Sequence, residues 1–187
     1  MKILIIPEDQ TSDGFIAKPI VEALCADAQV PARVDVLPEP RLRGAAQALN
    51  PDIVREIIAD NPMTDLFILV IDRDCDRDGH VAKATAREGE HAGKLVACVA
   101  EQELEVWLLA LHRKQLGSLS WKDVRAHCDP KEEWAEPLLR QLGAAGPGGG
   151  RKGAMRALRG SLKTLVALCP ELQTLQTKII QHCSREN

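Results

Sequence analysis

One segment constrains the fold more than any other: Leu66-Phe-Ile-Leu-Val-Ile71, six apolar residues in a row, followed at once by Asp72, Asp74, Asp76 and Asp78 at alternating positions. A continuous apolar run of this length, bounded by turn residues, reads as a strand buried on both faces, which is how strands of parallel sheets are built. Ligands of open α/β sheets bind just beyond the carboxyl ends of such strands. Carboxylates placed there have no role in a core, and their mutual repulsion calls for a positive partner. Hard oxygen ligands suit a divalent cation such as Mg²⁺ or Mn²⁺.

The rest of the chain supplies the layers that such a strand needs. Lys2–Ile6, Arg33–Leu37 and Leu95–Val99 are further short apolar runs that predict strands, the second stopped by Pro38 and Pro40. Between them, Asp13–Ala28 carries apolar residues at a helical period, with Asp13 as a possible cap, and Pro51–Asp60 follows Asn50 in a cap-plus-proline start. His80–His91 predicts an exposed helix and Glu103–His112 another; the segment from Arg41 to Asn50 gives no clear signal. The alternation predicts an α/β fold, a mostly parallel four-stranded sheet of Rossmann type with helices on both faces, over residues 1–112. Over residues 113–187 strand signals stop, and a helical C-terminal extension packed on that domain is expected. Its pieces are Trp121–Cys128, Pro130–Leu142, a flexible glycine-rich loop over 143–153, a basic amphipathic helix over Ala154–Leu168 and a last helix over Pro170–Cys183.

Composition narrows the function classes. Net charge is −3, so no global basicity marks a nucleic-acid binder, and any such surface must be local. The apolar runs fall short of the roughly 20 residues a membrane helix needs, and the N-terminus reads as a first strand, so a cytoplasmic protein without membrane contact is expected. Six cysteines are scattered without a CxxC pair and read as reduced, buried thiols, with no zinc site.

Three acidic groups fall where strands should end: Glu8 with Asp9, then Asp72 and Asp74, then Glu101, Glu103 and Glu105. On one edge of a parallel sheet they can converge on one or two Mg²⁺ ions. Asp76 and Asp78, beside Gly79, fit a turn better than a ligand set. Basic residues concentrate elsewhere. From Gly143 to Lys163 there are Arg151, Lys152, Arg156, Arg159 and Lys163 and no acid, opening on Gly146-Pro-Gly-Gly-Gly150, so that a phosphate-backbone contact and a solvated face are both open. On a single helix Arg156, Arg159 and Lys163 would share one face. The loop is not a P-loop, because the Gly-Lys-Ser/Thr ending is missing. Arg41 and Arg43 are a smaller basic pair. His80 reads as an exposed loop histidine, the other histidines show no ligand spacing, and Trp121 and Trp134 read as packing residues.

A glutamate after the first strand and an Asp-x-Asp after a later one resemble the Toprim domain of topoisomerases, bacterial-type primases, small ribonucleases and nucleases related to the overcoming-lysogenisation-defect family. The matching residues are Glu8, Asp72 and Asp74. The stretch Val99-Ala-Glu101-Gln-Glu103-Leu-Glu105-Val-Trp107-Leu-Leu-Ala110 is similar to a Glu-x-Trp-Leu-Leu signature of small stand-alone Toprim-like proteins associated with ATPases and phage defence. The resemblance implies Glu8, Asp72 and Asp74 as Mg²⁺ or Mn²⁺ ligands, with Glu105 as a further catalytic carboxylate and Trp107 in the core. Toprim proteins usually follow the first glutamate with glycine; Asp9 stands here, which admits a reshaped metal site, a Glu8 acting only as general base, or a non-catalytic copy. Toprim topoisomerases cleave DNA through a tyrosyl link, and this chain has no tyrosine. A metal-dependent nuclease acting on DNA or RNA phosphodiester bonds is therefore the expected function, with Arg151, Lys152, Arg156 and Arg159 on the phosphate backbone. An interaction module partnering an ATPase is the alternative, and a homodimer is compatible with either. A flavodoxin-like or receiver-type domain is a third possibility, to be separated by strand order.

Overall fold

The computed structural model describes residues 1–38, 42–76 and 78–185, the side chain of Arg185 excepted; Pro40 and Arg41, singled out above, lie outside the described residues. Four strands, β1 (Lys2–Pro7), β2 (Arg33–Val36), β3 (Leu66–Asp72) and β4 (Leu95–Ala100), form one sheet in the order β2-β1-β3-β4. Every pairing is parallel. The helices are α1 (Gly14–Asp27), α2 (Ala45–Ala48), α3 (Pro51–Asp60), α4 (His80–Glu90), α5 (Glu105–Leu111), α6 (Trp121–Ala126), α7 (Glu136–Gln141), α8 (Arg151–Ala154), α9 (Leu162–Leu168) and α10 (Pro170–Arg185). The expected α/β architecture is the observed one. The order matches the first four strands of flavodoxin-like sheets.

Both faces of the sheet are covered, and the strands show it by alternation. Ile3, Ile5, Leu66, Ile68, Val70, Cys98 and Ala100 pack with α1, α5 and the C-terminal helices. Leu4, Ile6, Phe67, Leu69, Ile71 and Leu95 pack with Val54 and Ile57 of α3 and Ala84 of α4. The first cluster continues through Val124, Leu138, Leu158, Leu165, Leu172 and Ile179, so residues 113–185 share their core with the α/β part. Asn50 caps α3 as expected, its side chain accepting from the Asp52 and Ile53 amides.

Three expectations need correction. The basic helix over Ala154–Leu168 is broken: α8 passes into a tight 3-10 turn over Met155–Leu158, Arg159 leaves helical geometry, and Gly160 takes φ +79° before α9 begins. Glycine adopts that conformation without steric cost, and the break separates Arg156 from Lys163. The glycine-rich loop packs closely: a Cβ on Gly148 would lie 2.4 Å from the Phe15 ring and one on Gly150 2.3 Å from the Ala144 carbonyl oxygen. Its glycines thus answer to close approach as well as to chain freedom. Finally, Cys75 and Cys128 are joined in a disulfide, while Cys25, Cys98, Cys169 and Cys183 form no disulfide among the described residues. No sequence spacing marks that pair, whose partners are 53 residues apart.

Candidate metal centre at the carboxyl edge of the sheet

Chain direction reverses its lateral progress between β1 and β3: α1 leads from β1 outward to β2, and α4 leads from β3 outward to β4. The crevice beyond the carboxyl ends of those two strands is where α/β sheets place ligands. Register fills it with acids. Pro7 pairs with Val70, so Glu8 falls beside the end of β3, and its Oε2 accepts the Asp72 amide at 3.1 Å. Asp72 pairs with Ala100, which brings the segment after β4 alongside, and Asp72 Oδ1 accepts the Leu104 amide at 2.8 Å.

Three carboxylate oxygens, one each from Asp72, Asp74 and Glu103, lie within 4.8 Å of one another. That donor set, all carboxylate oxygen, is one that can hold a metal ion. Among the described residues, none of the three is ion-paired with arginine or lysine; Asp74 Oδ2 lies 3.8 Å from His80 Nδ1. Burial, then repulsion from Glu8, Asp13 and Glu105, holds the Asp72 carboxyl well above the usual range. Burial likewise pushes Glu103 up to about 7, partly offset by the Lys131 amide that donates to its Oε2 at 2.7 Å. Glu8 is raised for the same first reason, against the Asp72 amide that favours its charge.

Asp74 is presented by an unusual backbone. Asp74, Cys75 and Asp76 take φ of +50°, +54° and +54°, and Gln102 takes +68°. Aspartate tolerates the left-handed region better than most residues, but a run of three costs of the order of 1–2 kcal/mol per residue. The turn is secured by the Asp74 amide on the Gln102 carbonyl, the Cys75 amide on Gln102 Oε1 at 2.8 Å, and the disulfide to Cys128. Asp76 serves the turn, as expected, with its Oδ1 accepting the Val81 amide.

Other expected site residues have different roles. Glu105 is 2% exposed and bound to Arg151, itself 6% exposed: Arg151 Nε donates to Glu105 Oε1 at 2.9 Å, Nη2 donates to the same oxygen, and Nη1 donates to the Gly148 carbonyl. Arg151 is thus a buried counter-ion rather than a free phosphate arm, and Glu105 lends negative field to the site while its carboxylate is committed. Lys152, Arg156 and Arg159 are exposed. Arg156 and Arg159 line an open cavity of about 840 Å³ together with Asp27, at the far end of α1. Helix α1 starts beside the crevice and is about 20 Å long at 1.5 Å per residue, so these two arginines do not converge on the acids. Arg43 lies in the chain leading to Gly44, where its amide donates to Gln47 Oε1.

His80 corrects its expectation too: it is 6% exposed at the start of α4, with Nδ1 2.9 Å from the Asp72 carbonyl oxygen. A carbonyl only accepts, so Nδ1 carries the proton. Asp9 is folded into a turn, where hydrogen bonds from Thr11 and Ser12 outweigh burial and keep its carboxyl low. Trp107 is buried, as the resemblance implied, and its Nε1 donates to Glu171.

Two participants escaped sequence reasoning. Asp13 occupies the cap position of α1, yet its carboxylate accepts the Asp9 amide at 3.0 Å instead of a helix amide. It is 4% exposed, and burial with its acidic neighbours pushes it up to about 8. Lys131 follows a proline in a π turn; burial works against its charge, but Glu105 and Glu103 hold its ammonium above the ordinary range. A lysine 28 residues from Glu103 carries no local signal of this placement.

Set against family models, curated proteins and solved structures, the chain matches none at a significant level. Among the described residues no helix is long and apolar enough to cross a membrane.

Proposed function

We propose that the crevice binds Mg²⁺ or Mn²⁺ through Asp72, Asp74 and Glu103 and that the protein hydrolyses phosphodiester bonds of nucleic acid there. The observation that carries this reading is the carboxylate trio at the β1/β3 crevice, in no ion pair with arginine or lysine among the described residues. The Toprim resemblance of Glu8, Asp72 and Asp74 supports it. A bound divalent ion would supply the charge that orients a phosphate and activates water. Glu103 enters the ligand set in the place expected of Glu8. Glu8, its carboxyl raised by burial and its Oε2 held on the Asp72 amide, is then the general base. Lys131 provides a cation beside the acids to meet phosphate charge, and Glu105 with Arg151 fixes the start of α5 behind them.

The test is cleavage of end-labelled single- and double-stranded DNA and RNA in Mg²⁺ or Mn²⁺. Cleavage abolished by chelation and by Asp72→Ala or Asp74→Ala is the expected result; cleavage that survives Asp72→Ala intact refutes the assignment. The separation of Arg156 and Arg159 from the crevice favours a second reading, a non-catalytic module docking on an ATPase. Metal binding without cleavage of any substrate, with an ATPase co-purifying, would select it.

A further inference from the structure

The segment from His127 to Lys131 touches the acidic crevice at two points that belong to two different carboxylates. Cys128 is bonded to Cys75, the residue directly after Asp74, and the Lys131 amide is bonded to Glu103 Oε2. Both sulfurs belong to half-buried residues, whereas Cys25, Cys98 and Cys169 are buried. Among the described residues, the bond sits at the centre of the one turn where three successive non-glycine residues hold positive φ. A left-handed run of that kind persists only where its surroundings over-determine it. Among the described residues the restraints on Cys75 are two: its amide on Gln102 and its sulfur on Cys128. Only the second can be switched chemically.

We propose that Cys75–Cys128 is a redox-reversible tether that sets the cation affinity of the Asp72–Asp74–Glu103 cluster, an inference that rests on the metal reading above. A dithiol reductant supplies the two electrons. Its thiolate attacks one cysteine sulfur and expels the other as thiolate; its second thiol then displaces the mixed disulfide, leaving an oxidised dithiol and two protein thiols that take up the two protons. With the sulfurs parted, the 74–76 turn relaxes toward right-handed backbone, Asp74 leaves the position it shares with Asp72 and Glu103, and divalent binding weakens. Reoxidation restores it.

The experiment titrates Mn²⁺ calorimetrically into the full chain, oxidised and after reduction by a dithiol, with thiols counted by alkylation and mass spectrometry and the fold followed by circular dichroism. Reduction is expected to expose the thiols of Cys75 and Cys128, to leave the circular dichroism unchanged and to weaken Mn²⁺ binding about tenfold, the scale of one left-handed residue relaxing. Cys128→Ser, which cannot form the bond, is expected to bind Mn²⁺ as weakly as the reduced chain and to ignore the dithiol. Equal affinity in both redox states overturns the tether while sparing the metal site. Absence of Mn²⁺ binding in the oxidised chain overturns the metal site, and the tether with it. Unfolding on reduction overturns the tether by making the bond a structural staple.

Discussion

Glu101, Glu103 and Glu105 leave β4 two residues apart, and the structure treats the outer two differently from the middle one. Glu101 is met by the guanidinium groups of Arg73 and Arg125, and Glu105 by that of Arg151. Glu103 is met by a backbone amide and turned toward Asp72 and Asp74. Paired with arginine, a carboxylate is part of the scaffold; gathered with its like, it stores repulsion that a cation would relieve. The distinction lies in long-range partners, so residue type and spacing alone cannot draw it.

The two sets should respond to substitution in opposite directions. Glu105→Ala strips the buried Arg151 of its counter-ion, and an uncompensated buried charge costs about 3–5 kcal/mol in chemical or thermal unfolding. A loss below about 1 kcal/mol would erase the distinction.

The next effect is on pH dependence. Asp13 is held near 8 in the folded chain against an ordinary 3.8. Between those values the folded state keeps a proton that the unfolded chain has released, so without divalent ions stability falls as pH rises from about 4 to about 8, and is fully retained below. The contribution is of the order of a few kcal/mol. Asp13→Asn should flatten that slope in urea titrations run across the range; an unchanged slope would locate the buried proton elsewhere.

Smaller again is Asp72→Asn, which removes one of the repelling charges. Without divalent ions it should raise stability by about 1 kcal/mol. Saturating Mn²⁺ should stabilise the wild type and not the variant, reversing the order. Arg156→Ala and Arg159→Ala mark the floor: both side chains are exposed and remote from the crevice, so stability should move by less than about 0.5 kcal/mol and cation affinity not at all.

What could be read from the chain was local. The apolar runs of β1 to β4, the helical periods of α1, α3 and α10 and the Asn50 cap are written within a few residues each, and the parallel sheet follows from their alternation. Half of the candidate site was legible for the same reason: strand ends locate Glu8, Asp72 and Asp74, and topology brings them together. Pairing across distance was not. Arg151 read as a free cation because its partner lies 46 residues away, and Cys75 as a free thiol because its partner lies 53 away. The break at Arg159–Ser161 hid behind a basic, helix-compatible composition in which Gly160 is the only local signal.

Calorimetric titration of Mn²⁺ into the oxidised wild-type chain and its Asp72→Ala/Asp74→Ala variant tests the central claim most directly, with Glu103→Ala as the residue that distinguishes this ligand set from the one expected of the sequence. The account predicts one saturable site in the wild type, lost in the double variant and strongly weakened in Glu103→Ala. Equal heats in wild type and double variant, or a wild type that takes up no Mn²⁺, would contradict it.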